Sequence, residues 1–155
     1  MSYELRALIG SKRVLDPVAA KIAGSSTVEL AHGLFILPLK ELSRAAAAAK
    51  APLPKKFEPP PEIARLAMEA SAVGPIAYLE ADYYPGRDYQ AAVSWEKGRI
   101  AVEPQCETAA WDPREMNLSD RPINTVLRAL DVTAAGYNDE WDAVAMARHS
   151  RTEDW

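Results

Sequence analysis

Two carboxylates, Glu80 and Asp82, are separated by a single residue in the segment IAYLEADYYPG. In a β-strand, residues two apart share a face, and their Cα atoms lie about 6.5–7 Å apart. That spacing suits acid–base chemistry or a metal ion, although two acids alone indicate neither strongly. Carboxylates are poor strand formers and costly to bury, which means that the pair needs an explanation. It could face solvent, a basic partner or a polar pocket.

The turn around Pro85-Gly86 decides which face of the sheet these acids occupy. A four-residue loop would place Asp82 beside Ala91, on the face of Trp95. A five-residue loop would place Asp82 opposite Ala92 and Glu80 opposite Ser94. Because a one-residue slip moves every side chain across the sheet, the cost of burying acids favours the five-residue loop. The resulting open polar face has these candidate partner-binding residues: Tyr78, Glu80, Asp82, Tyr84, Gln90, Arg99 and Glu103.

A second group of chemically capable side chains lies in the last eight residues, as a structural element or as part of a site. Its members are Arg148, His149, Arg151, Glu153, Asp154 and Trp155. The two arginines could pair with Glu80 or Asp82 if this segment crosses the sheet. His149 and Ser150 do not form a nucleophile–base pair, because neighbouring residues on a helix point about 100° apart.

The sequence offers no recognisable catalytic or metal-binding constellation. The chain has two histidines, His32 and His149, and one cysteine, Cys106. A zinc site normally needs a denser set of nitrogen and sulfur ligands. The GxGxxG, P-loop and GxSxG motifs do not occur. We therefore expect no metal and no cofactor, assign no catalytic residue, and favour binding over enzyme activity without excluding the latter.

The secondary structure that must position these residues alternates between strands and helices. Five prolines in Ala51–Pro61 predict a stiff, extended connector. Pro61 or Glu62 and then Pro122 should each open a helix, and Asn138 should cap a third. An irregular loop is expected over residues 104–121. The order predicts a single α+β domain over residues 1–155, with a largely antiparallel sheet of about 5–6 strands packed with about 4–5 helices.

Composition and charge narrow the possible surroundings of the chain. No apolar run is long enough to span a membrane, no secretion signal is evident, and a single cysteine fits a reducing cytoplasm. Residues 1–56 carry nine Lys/Arg against four Asp/Glu, whereas residues 57–155 carry nine against eighteen. An acidic surface repels phosphate backbones and attracts basic proteins, which disfavours nucleic-acid binding. The oligomeric state cannot be predicted from these features.

Several segments resemble a group of small uncharacterised bacterial proteins, mainly actinobacterial, that end in R-H-x-x-T-E-D-W. The segments are MSYELRALIG, GPIAYLEADYYPG with QAAVSWEKG, PINTVLRALDV with DEWDAV, and RHSRTEDW. The likeness spans most of the chain outside the alanine and proline segments. It implies a single bacterial domain and no particular activity, because none is assigned to that group.

Three functions follow as hypotheses. The first is a small cytoplasmic protein-binding domain, immunity-like in character, that inhibits a basic partner through its acidic sheet face. The second is a small enzyme or ligand-binding domain that uses Glu80, Asp82 and His149. The third is a structural or oligomer-forming domain. A concave pocket that brings Glu80 and His149 together would favour the second, and a flat acidic face would count against it.

Overall fold

A computed structural model of the chain describes residues 2–85, 87–109 and 120–155. These residues form one antiparallel sheet of six strands and five α-helices, which confirms the predicted α+β class. The sheet has the spatial order β2-β3-β1-β4-β5-β6. The strands are β1 (Tyr3–Ser11), β2 (Val28–Glu29), β3 (Leu34–Pro38), β4 (Ile76–Tyr84), β5 (Arg87–Glu96) and β6 (Arg99–Ala109).

The helices begin largely where the sequence signals place them. Pro61 and Pro122 each occupy the first turn of a helix, where the missing N–H costs nothing. The last helix is capped by Asp139 rather than by Asn138, because the Asp139 side chain accepts a 2.8 Å hydrogen bond from the Asp142 N–H. The helices are α1 (Lys12–Ala19), α2 (Lys40–Ala49), α3 (Pro61–Ala70), α4 (Pro122–Ala129) and α5 (Glu140–Ala143).

Both faces of the sheet are covered by other parts of the chain. One face, which we call the α4 face, packs against α4 and α5 through side chains such as Leu5, Leu79 and Ile123. The opposite face, which we call the α3 face, packs against α1 and α3 through side chains such as Tyr78, Val93 and Trp95. A sheet that is apolar on both sides must be covered on both sides, which gives a three-layer arrangement.

The proline-rich connector crosses the α3 face. Residues 51–60 have no helix or strand, as expected for a run of prolines. Phe57 is 5% exposed, and its ring stacks on that of Tyr78 with 6.0 Å between centroids. Further along, Sγ of Cys106 on β6 lies 3.9 Å from the carbonyl oxygen of Pro54. The connector is therefore a packed layer over the sheet.

A buried polar cluster joins α4 to β5 on the α4 face. The Arg121 guanidinium pairs with Asp88, and both side chains are 8% exposed. Gln90 Oε1 accepts a 3.1 Å hydrogen bond from the N–H of Ile123, which satisfies one of the free donors at the start of α4. The predicted irregular loop over 104–121 is wrong for residues 104–109, which continue β6. Residues 110–119 of that loop lie outside the described residues.

Candidate functional site

The observed β4–β5 register places the two acids on the α3 face. Asp82 lies opposite Tyr89, and Glu80 lies opposite Ala91. The predicted pairing with Ala92 and Ser94 is therefore wrong, because Tyr84 pairs with Arg87 rather than with Gln90. In this register, as in the alternative with a four-residue loop, both acids lie on the same face of the sheet as Trp95.

Arg6 explains how this face accommodates the carboxylates. It lies opposite Glu80 in the β1–β4 ladder, so that its side chain enters the same face. Its Nη2 is 3.2 Å from Oδ2 of Asp82, and its Nη1 is 2.5 Å from Oε1 of Glu4. The Arg6 and Asp82 side chains are only 12% and 8% exposed. The Arg6 guanidinium bonds both carboxylates, and these charge-assisted hydrogen bonds offset the desolvation free energy of burying the acids.

The protonation of these groups follows from burial and from their mutual field. Burial lowers the pKa of Arg6, but Asp82, Glu80 and Glu4 raise it by more, and the net pKa is above its ordinary value. Arg6 therefore stays charged throughout the accessible pH range. The pKa of Tyr78 is also raised, first by burial and then by the charge of Glu80. Tyr78 is accordingly a neutral hydrogen-bond donor.

Two buried tyrosines beside these acids differ in how their hydroxyls are bonded. The Tyr78 hydroxyl donates a 2.6 Å hydrogen bond to Oε1 of Glu80. Tyr89 is 1% exposed, and its hydroxyl has no hydrogen-bond partner among the described residues. Burial and the nearby charge of Glu80 raise the Tyr89 pKa. Buried hydroxyls without partners are rare in folded proteins, and each requires an explanation.

A cleft of about 540 Å³ lies above this charged half of the α3 face. One wall comes from the C-terminal half of α2, whose alanines have side chains too small to fill the space, and from the start of the connector. The segment 151–153 adds another wall. The cleft is lined by Glu4, Arg6, Ser43, Arg44, Ala46, Ala47, Ala49, Lys50, Ala51, Pro52, Leu53, Pro54, Glu80, Asp82, Tyr84, Tyr89, Arg151 and Glu153.

The C-terminal block packs along β1. Strand β3 pairs with β1 only from Ala7 onward, which leaves an unpaired edge before that residue. The segment 150–152 occupies this edge: the N–H of Glu4 donates to the carbonyl oxygen of Ser150 over 2.8 Å. Thr152 is fully buried, and its Oγ1 accepts a 3.0 Å hydrogen bond from the N–H of Arg6. The segment thus completes the sheet where β3 ends.

The side chains of the C-terminal block have partners other than the predicted ones. Arg148 donates to the carbonyl oxygen of Glu29 over 3.2 Å and lies over the Trp155 ring. His149 packs edge-on against Trp155, with 4.8 Å between ring centroids, and does not line the cleft. Within the described residues neither arginine forms an ion pair with Glu80 or Asp82, because Arg6 occupies that position.

Glu153, Arg151 and Asp154 lie on different sides of this block. Glu153 pairs with Arg44 of α2 over 2.9 Å, which ties the segment to the wall of the cleft. Arg151 lines the cleft, whereas Asp154 is exposed and does not.

The predicted partner-binding residues do not share one surface. Four of them, Tyr78, Glu80, Asp82 and Tyr84, lie on the α3 face, but Tyr78 is fully buried. Gln90 lies on the α4 face, where its amide also bonds the Tyr83 hydroxyl. Arg99 and Glu103 are exposed on β6 and do not line the cleft. The predicted open acidic face is therefore wrong as a position, and a role in binding a partner stays a prediction.

Glu4, Arg6, Tyr89 and Thr152 complete the site but were not identified from the sequence. One signal pointed to two of them: Glu4 and Arg6 are charged residues two apart in YELRALIG, a strand whose other residues are mostly apolar. A charged residue directed inward from a central strand requires a counter-charge on the neighbouring strand. Glu80 and Asp82 supply that charge.

The comparisons with known proteins identify no relative. No family model, no curated protein and no solved structure matches the chain. Within the described residues, no group of three or more His, Cys, Asp or Glu side chains is arranged to hold a metal ion. None of the helices that the structure describes combines the length and apolar character needed to cross a membrane.

Proposed function

We propose that this protein binds a small polar molecule in the cleft above Arg6. The observation that carries the proposal is the Tyr89 hydroxyl, which is buried at the cleft and has no partner among the described residues. A ligand that bonds this hydroxyl would remove an unsatisfied polar group. The volume of about 540 Å³ also falls within the roughly 300–1,000 Å³ of small-molecule sites.

The charged cluster supports a binding role in a second way. Replacing a buried ion pair by apolar side chains of similar volume is often neutral or stabilising. Stability alone therefore does not require Glu4, Arg6 and Asp82 at this position. Their mutual hydrogen bonds hold the side chains in fixed orientations, which is how binding sites reduce the entropic cost of ligand capture.

Binding is favoured over catalysis because the expected acid–base pair does not form. The enzyme hypothesis needed Glu80 and His149 at a shared position, whereas His149 packs on Trp155 away from the cleft lining. The immunity-like hypothesis needed Tyr78, Glu80 and Asp82 on an accessible surface, and Tyr78 is fully buried. Inhibition of a basic protein through another surface stays a prediction.

Replacement of two neighbouring alanines by tryptophan tests the proposal. Ala47 and Ala48 are neighbouring exposed residues of α2, but Ala47 lines the cleft and Ala48 does not. The panel of probes contains amino acids, amines, carboxylates, dicarboxylates and monosaccharides, with binding followed by amide chemical shifts. We expect at least one probe to shift the amides around Tyr89 in the native protein and in A48W but not in A47W. Loss of binding in both variants, or no binding at all, would contradict the proposal.

A further inference from the structure

The charges that line the cleft differ in sign between its floor and its mouth. Among the described lining residues on the sheet, the three carboxylates of Glu4, Glu80 and Asp82 surround one guanidinium, that of Arg6, so that these groups are negative overall. Lys50 and Arg151 are exposed at the mouth. Neither of them forms an ion pair within the described part of the chain. The described side chains of the cleft therefore place negative charge at the floor and positive charge at the rim.

Glu80 is the floor carboxylate best placed to meet a cationic group. Glu4 and Asp82 each bond the guanidinium of Arg6 directly. Glu80 bonds only the neutral hydroxyl of Tyr78, through one of its two oxygens. Its second oxygen has no hydrogen-bond partner among the described residues, and the side chain is partly exposed. An ammonium group has three donors and would find two acceptors here, this oxygen and the Tyr89 hydroxyl.

The unpartnered Tyr89 hydroxyl is evidence for a ligand that is independent of the acidic residues. Glu80, Arg6 and Asp82 all act electrostatically on this hydroxyl, which places it next to the charged floor. It is also more than nine-tenths buried, so that bulk water does not satisfy it. A buried hydroxyl beside Glu80 would otherwise lower stability without compensation.

Resting on the proposed binding function, we infer that the ligand is a small zwitterion that carries a primary ammonium group and a carboxylate. The ammonium group bonds Glu80 and Tyr89 at the floor, and the carboxylate faces Arg151 and Lys50 at the mouth. Attachment of both groups to one molecule makes the second contact intramolecular, and the zwitterion therefore binds more tightly than either of its halves.

Length-matched probes separate the two charges. The zwitterions are glycine, γ-aminobutyrate and ε-aminocaproate, and the single-charge probes are butylamine and butyrate. At least one zwitterion should bind about tenfold more tightly than either single-charge probe, because it contacts Glu80 at the floor and both Arg151 and Lys50 at the mouth within one molecule. Equal affinity for butylamine and for all zwitterions would overturn the inference.

Two variants with matched controls assign each end of the ligand. E80Q should weaken zwitterion and butylamine binding about tenfold and leave butyrate binding unchanged. R151Q should weaken zwitterion and butyrate binding about two- to fivefold, since Arg151 is exposed. The controls E103Q and R13Q remove exposed charges outside the cleft and should change neither affinity. Equal effects of E80Q and E103Q would contradict the assignment.

The same titrations distinguish this inference from the function on which it rests. If a monosaccharide or a dicarboxylate binds and A47W abolishes its binding, while no zwitterion binds, the inference is wrong and the binding function stands. If no probe binds the native protein, both are wrong.

Discussion

The Tyr78 hydroxyl donates to Glu80 over 2.6 Å, whereas Tyr89, buried beside the same carboxylate, has no partner for its hydroxyl among the described residues. Both rings are almost completely buried, at 0% and 1% exposure. The two residues thus differ in one hydrogen bond within one environment. This contrast makes them a natural pair for separating stability from binding.

Removal of the two hydroxyls should have opposite effects on stability. Tyr78→Phe takes away a donor to a carboxylate and should lower the free energy of unfolding by about 1–2 kcal/mol. Tyr89→Phe removes an unsatisfied buried group and should leave the ligand-free protein unchanged or up to about 1 kcal/mol more stable. Urea denaturation of both variants measures the difference. A loss of similar size in both would show that the Tyr89 hydroxyl is bonded in solution.

The importance of Arg6 is testable by substitution. Arg6→Met leaves the carboxylates of Asp82 and Glu4 without their shared cation and should cost about 3 kcal/mol or more in the free energy of unfolding. Arg6→Lys keeps the charge but loses the fork geometry and should lie between Arg6→Met and the native protein. The control Arg65→Met removes an exposed arginine that pairs with Glu62 and Glu69, and it should have little effect. Equal losses at both arginines in denaturant titrations would contradict the described burial.

Docking of the C-terminal block can be measured at Thr152. Thr152→Val keeps the shape of the side chain but removes the acceptor of the Arg6 N–H and the donor to Glu4. We expect a loss of about 1–3 kcal/mol, because a buried N–H is left unpaired. Ser150→Ala changes an exposed side chain of which only the carbonyl oxygen is used and should be neutral. Hydrogen exchange at the Arg6 amide should accelerate in the first variant only.

Alkaline pH should unfold the protein cooperatively. Burial raises the pKa of Tyr3, Tyr78, Tyr83 and Tyr89 above the ordinary value of 10.0. These tyrosines stay protonated in the fold while the unfolded chain ionises. Their contribution to stability is therefore complete below about pH 10 and is lost as the pH rises toward the folded values.

The expected slope is about 1.4 kcal/mol per pH unit for each such tyrosine. Denaturant titrations above about pH 10 measure it, with tyrosinate absorbance as the probe of ionisation. Tyr83→Phe should reduce the slope by one tyrosine's share. Tyrosinate absorbance that rises fully before any loss of structure would contradict the prediction.

Local patterns in the sequence were sufficient for the fold class and for several element boundaries. Pro61 and Pro122 open helices because proline fits the first turn, and Lys97-Gly98 forms the predicted tight turn with both residues at positive φ. The predicted pairing of Trp95 with Ile100 is confirmed by the same turn. These features depend on neighbouring residues alone, which is why periodicity and turn chemistry identify them.

The position of the acids depended on a residue far away in the chain. The prediction assumed that Asp82 could not share a face with Trp95 without a prohibitive cost. Arg6, 76 residues earlier, removes most of that cost, and no local pattern shows that β1 lies beside β4. The same applies to Tyr89, because its unbonded hydroxyl is visible only once the neighbours are in place. The register of β4 was predicted from its pairing with β5 alone, whereas the burial of the two acids also depends on β1.

The contact between Arg6 and Thr152 spans 146 residues and has a consequence for biosynthesis. The ribosome releases the start of β1 well before the partner for its open edge, which lies 146 residues later in the chain. Until then, backbone groups at the start of β1 are available to other chains, as at any unprotected sheet edge. Folding should accordingly be slow for a chain of this size, since such distant contacts form late. Chaperone dependence and aggregation of nascent chains stalled before Thr152 would be the cellular signs of this delay.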